Sequence, residues 1–181
     1  MTEMFLSDQD IEQESLRQGD IISEVQYFGC MNINNILTHQ NAAGTIESWG
    51  FKIAPVIGPA IILSHSCEID KANGIKLTSI ILSPLRDINS ATAPDKIEEL
   101  KHTNFITHDS EFSYLKYFYI SPHKKLPHKD GAVVDFSKCF SLHKSAYDTI
   151  LSNKIIQLKQ EISDNLALKF SLYFYRKKNI A

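Results

Sequence analysis

Nothing in this sequence stays apolar for the roughly 20 residues that a bilayer-crossing helix needs. No sign of charge dominates either: 19 Lys and Arg stand against 21 Asp and Glu, a formal net charge of −2. The first absence argues against a helical membrane span. The second argues against a grip on nucleic acid driven mainly by phosphate attraction, although a local basic patch stays open. Cysteine is scarce: Cys30, Cys67 and Cys139 are odd in number and widely spaced. The opening "MTEMFLSDQDIEQESLRQGD" also lacks the basic and then apolar run of a cleavable signal. Together these features predict a cytoplasmic chain with reduced thiols rather than a disulfide frame. A phosphate-cradling glycine pattern, a GxSxG elbow and an HExxH helix are missing as well, so no cofactor is predicted.

What is present suits a packed core. Of 181 residues, 43% are hydrophobic and 22% charged, which predicts one globular domain over 1–181, with strands and loops over 1–142 and helices over 143–181. "RQGDIISEVQYF" reads as a turn at Gly19-Asp20 and then an alternating strand. Residues 30–45, rich in Asn and small side chains, read as a long loop. "IESWGFKIAPV" predicts a strand bent near Gly50, and "PAIILSHS" a central strand, apolar on both faces at its start. Asn73-Gly74 is a hairpin signal, returning through "IKLTSIILSP", which Pro84 is expected to stop. "TAPDKIEELK" predicts a helix with Pro94 at its first position. Two further strands, "FSYLKYFYIS" and "GAVVDFSKCFSL", flank the polar loop "PHKKLPHKDG". Two helices are then expected, one from a Ser145/Asp148 capping box with a stripe from Tyr147 to Ile162, the other from Ser163 through Leu166, Phe170, Tyr173 and Phe174. Strands before helices predict an α+β fold, a mostly antiparallel barrel-like sheet covered by a C-terminal helical pair.

Chemistry concentrates in "SHSCEID", residues 64–70. On a continuing strand His65 and Cys67 share a face about 7 Å apart, from a rise of roughly 3.3 Å per residue. An imidazolium there lowers the thiol's pKa, whereas Glu68 and Asp70 raise it. Two readings stay open. Cys67 closes a core strand and His65 bonds a backbone carbonyl, or Cys67 is a catalytic or ligand-binding thiol with His65 as its base. In the second, Ser64, Ser66, Glu68 and Asp70 are candidate binding residues. His65, Cys67, Cys139 and His143 are zinc-type ligands, but on a strand Cys139 and His143 do not converge on one ion, and no metal is predicted. "HKKLPHK", residues 123–129, carries Lys124 and Lys125 near Tyr114, Tyr117 and Tyr119. It is either a nucleic-acid contact or a solvated hairpin tip.

"RQGDII", "PAIILSHSCEID" and "IILSPL", with the late "VVDFSKCFSL" and "LYFYRK", resemble a poorly characterised bacterial group over most of the chain. That group has a Gly-Asp-hydrophobic first strand and a hydrophobic strand ending in Ser-x-x-Cys-acid. More distantly, the first half resembles MazF/PemK-like toxin barrels, through Gly19, Asp20, Pro59 and Leu63-Ser64. The resemblance implies a compact SH3-like barrel with an inserted short helix, in a family that travels with toxin–antitoxin or phage-defence genes. MazF-like ribonucleases use basic and hydroxyl residues before the Pro-led strand, whereas this stretch reads "WGFKIAPVIGPA", without arginine. The expected function is therefore a non-catalytic binding or regulatory module of a bacterial conflict system. It would contact a protein, nucleic acid or nucleotide through the Cys67 and 30–45 loops. The alternatives are a cysteine-dependent enzyme with Cys67 as nucleophile and a MazF-like endoribonuclease using the basic loop.

Overall fold

A computed structural model describes residues 3–28, 36–44, 46–51, 55–69, 78–105 and 114–175. Gly19 starts the sheet. Its left-handed backbone, φ 86°, is open to glycine at little cost, and it turns the chain so that Asp20 can enter β1 (Asp20–Phe28). β1 pairs antiparallel with β4 (Pro55–Ile62), Ile21 opposite Ile61 and Ile22 opposite Ala60. Because strand side chains alternate, Ile21 and Ile61 enter one core and Ile22 and Ile62 the other. Each such buried aliphatic side chain contributes about 1.5–3 kcal/mol.

On its other side β4 pairs with β5 (Ser79–Asp87), which pairs along its length first with β8 (Phe140–His143) and then with β7 (Ala132–Asp135). β6 (Tyr117–Ile120) lies outside β7, and β9 (Lys154–Gln157) outside β1. The seven-stranded order is β6-β7-β5-β4-β1-β9 with β8 beside β5, and every pairing is antiparallel. α5 (Gln160–Phe174) covers the first core with Ile162 and Leu166. α4 (Tyr147–Ser152) and the single turn α1 (Ser66–Ile69) cover the second with Tyr147, Ile150 and Ile69. A third, smaller cluster joins Ile88 of α2 (Ile88–Ala91) and Leu100 of α3 (Ile97–Lys101) to Tyr119 and Val133.

The α+β class and the antiparallel sheet agree with the sequence reading, and β4 is central. Other expectations are corrected. The sheet is not closed: β6 and β9 end its path, where an SH3-like barrel needs a closed one. The 30–45 loop contains β2 (Ile36–Gln40), which pairs with β3 (Ile46–Phe51) in a separate hairpin. Pro84 does not stop β5. Ser83 and Pro84 fall between the β8-paired and β7-paired stretches, where a ladder can spare an N–H, and the Ser83 hydroxyl bridges to Asp135 O at 3.2 Å. The long helix expected from Tyr147 to Ile162 is cut at Asn153, and "KIIQ" becomes β9 because β1 offers it an unpaired edge. The strand expected over "GAVVDFSKCFSL" is likewise two strands around a single turn at Phe136–Lys138. The Asn73-Gly74 hairpin lies outside the described residues.

Candidate functional site

β4 ends at Ile62, and the chain turns into α1. His65 and Cys67 are therefore not spaced along a strand: the ring Nδ1 lies 3.0 Å from Sγ, and both side chains are exposed. Around them the polar side chains hold backbone. Ser64 is buried, and its hydroxyl accepts from Ile81 N at 2.8 Å. The Ser66 hydroxyl accepts from Gln18 N at 3.0 Å, while the Gln18 amide donates to Leu63 O at 2.7 Å. Gln18 O accepts in turn from the Ser163 hydroxyl of α5. The turn is thus pinned to the Arg17–Asp20 corner and through it to α5. Glu68 is half-buried, with its N–H on His65 O. Asp70 lies outside the described residues.

His65 Nδ1 also accepts from the Cys67 backbone N–H, at 3.3 Å. A nitrogen that accepts from an amide presents its lone pair there, so the neutral ring keeps its proton on Nε2, and the thiol S–H is the donor toward Nδ1. The same device occurs twice more: Lys125 N donates to His123 Nδ1 at 3.2 Å, and Ser145 N to His143 Nδ1 at 3.2 Å. At position 143 the ring also contacts the Ser145 hydroxyl, at 2.9 Å. An imidazole bonded to the N–H two residues on works like an Asx turn, and local sequence does carry the pattern, as His-x-Cys, His-x-Lys and His-x-Ser. The sequence reading missed it.

The remaining candidates lie apart from this turn. Lys124 and Lys125 both pair with Asp8, at 3.1 and 2.6 Å, and Lys125 also donates to Ile155 O. Their charges hold the Asp8 carboxyl below its usual range. His123 stacks edge-on against Phe5, and burial keeps its ring below the usual pKa. Cys139 is half-buried with Sγ on Phe136 O, and burial with the nearby Asp135 pushes its thiol up to about 12. Among the described residues no three His, Cys, Asp or Glu side chains are grouped to hold a metal ion.

The Gly-Asp signature has a structural role. Asp20 is fully buried in an ion pair with Lys154 of β9, 2.7 Å away, and Oδ2 also accepts from Arg17 N. Lys154 donates to Ser15 O as well. Burial pushes the Asp20 carboxyl up to about 6, against the pull of Lys154, and its Oδ1 has no hydrogen-bond partner. A cleft of about 420 Å³ opens elsewhere, between the N-terminal segment, the turn after α3, the end of β6 and α5. Met4, Phe5, His102, Phe105, Tyr119 and Ile162 are among its lining residues. Four distant segments build it, so no local pattern announces it. No protein-family model and no curated protein matches this chain.

Proposed function

We propose that the chain is a non-catalytic binding or regulatory module that meets its partner through the exposed His65 and Cys67 of the α1 turn. The observation that carries this reading is the triple use of one histidine device. His65 holds a turn as His123 and His143 do, and neither of those has a cysteine beside it. Taking the thiol proton onto Nδ1 would set a new N–H against the Cys67 N–H that Nδ1 already accepts. A nucleophile's base is better served by a free lone pair. The turn is also braced by Ser64, Ser66 and Gln18, so it presents its exposed side chains in a set geometry. Such preorganisation favours recognition, because less freedom is lost on binding. The resemblance to a bacterial group that travels with toxin–antitoxin and phage-defence genes supplies the proposed setting.

The test is co-purification from native extract, with Cys67→Ala and His65→Ala compared at matched thermal stability. The reading expects a bound protein or nucleotide that both substitutions release. Retention of that ligand by both variants overturns it. One observation favours a second reading, cysteine-dependent chemistry: the 3.0 Å contact between Nδ1 and Sγ. That reading requires rapid alkylation of Cys67 at neutral pH, slowed sharply in His65→Ala. Equal rates in the two proteins would remove it.

A further inference from the structure

Two buried polar side chains brace the short turn that follows α3. Asn104 is 4% exposed, and its amide grips the β6 backbone twice: Nδ2 donates to Tyr119 O and Oδ1 accepts from Tyr119 N, each at 2.7 Å. Lys169 reaches from α5 and donates to Thr103 O. Taking an amide and an ammonium out of water is costly, and both serve this one turn. The turn in return keeps a fixed place beside the cleft of about 420 Å³, where His102, Asn104 and Phe105 are part of the lining and Phe105 stays 44% exposed. The N-terminal segment on the same cleft is tied down as well, by Lys159 N donating to Met4 O and by the bridge between Phe5 and Leu158. Walls fixed in advance lose little freedom when a ligand enters.

The charges of the lining are already matched: Lys101 pairs with Glu98 at 2.6 Å, and Glu3 with Lys159 at 2.9 Å. The Asn104 amide is taken up by Tyr119. Met4, Phe5, Phe105, Tyr119 and Ile162 leave an apolar, largely aromatic surface. The volume falls within the range of small-molecule pockets, about 300–1,000 Å³. Two polar groups are left over. Among the described residues the Ser121 hydroxyl has only the Met4 thioether, at 3.7 Å, a weak acceptor, and the exposed His102 ring has no hydrogen bond. We infer that the cleft is a binding site for an uncharged, mainly aromatic small molecule with one hydrogen-bonding end. Its rings pack against the Phe5 and Phe105 side chains, where aromatic pairs gain beyond their buried area, and its polar end meets Ser121 or His102. A charged ligand would find each fixed charge already paired and would lose its hydration against apolar walls. The cleft shares no lining residue with the α1 turn, so it stands apart from the partner reading above.

Fluorescence titration of the full chain with the neutral dye N-phenylnaphthylamine tests this, with its sulfonated counterpart, anilinonaphthalene sulfonate, as the charged comparison. The expected result is saturable one-to-one binding of the neutral dye with a micromolar Kd, and binding of the sulfonate weaker by about tenfold or more. Phe105→Asp, at an exposed position, and Ser121→Leu, which narrows the cleft beside β6, should each weaken the neutral dye by about tenfold or more while thermal stability holds. Leu168→Glu with Leu172→Glu removes the other exposed apolar side chains of α5 and should leave the affinity unchanged. No saturable binding, an affinity that either cleft variant leaves unmoved, loss of binding in the leucine pair, or tighter binding of the sulfonate overturns the proposal.

Discussion

Lys169 sits on the inner face of α5 with 1% of its surface exposed, and its ammonium donates to Thr103 O at 2.5 Å and lies 3.4 Å from the Thr103 hydroxyl. No carboxylate reaches it among the described residues, and burial alone pulls its pKa from 10.5 down to about 7. An upper bound on the cost of holding the charged form follows at about 1.4 kcal/mol per pH unit, on the order of 4–5 kcal/mol. Between pH 7 and 10.5 the unfolded chain binds a proton here that the folded chain does not. Stability therefore rises with pH across that window. Below pH 7 both states are protonated, and the folded state bears the full cost. Lys169→Met removes the charge but also leaves the Thr103 carbonyl without its donor, a loss of about 1–3 kcal/mol. The variant should be more stable than the parent by roughly 2–3 kcal/mol at pH 6, about 4–12 °C in Tm for a chain of this size. By pH 10 the advantage should vanish or reverse, leaving only the lost hydrogen bond. Urea denaturation of both proteins at pH 6, 8 and 10 measures this directly. A stability difference that does not change with pH would refute the argument.

Removing one member of the buried Asp20–Lys154 pair, as in Lys154→Met, should cost about 3–5 kcal/mol, because a charge is left alone in the core. Asp20→Asn with Lys154→Met should recover most of it, and a double-mutant cycle by denaturant titration reads the coupling. The Asp20 carboxyl is raised from 3.8 to about 6, so the folded state holds that proton more tightly. Its contribution to stability should fall as pH rises through that interval, and Asp20→Asn should flatten the slope. Gly131 has φ 102°, and a Cβ there would lie 2.7 Å from the Tyr119 ring and 2.8 Å from Ile120 O. Gly131→Ala should cost about 2–4 kcal/mol, strain and overpacking combined, seen as a drop in Tm.

Local sequence determined the elements whose signals are short-range. Gly19 had to be glycine-like to turn into β1. The doubled Ile-Ile steps at 21–22 and 61–62 marked strands buried on both faces, which is what two cores on one sheet require. Tertiary structure decided the rest. "KIIQL" carries both helical and strand spacing, and it became β9 only because β1 presented an unpaired edge. Pro84 stayed in β5 because two partners meet beside it, a fact no window around residue 84 contains. Asp20 reads as a turn residue, and its true partner lies 134 positions away in Lys154. The His65–Cys67 contact required the strand to end at Ile62 rather than run on, since a pleated strand holds those side chains about 7 Å apart. That ending was set by hydrogen bonds from Gln18 and Ile81, both remote in sequence. Period and turn chemistry act within a few residues and so can be read along the chain. Edge availability and buried pairing depend on which distant segments arrive, and only the folded chain brings them together.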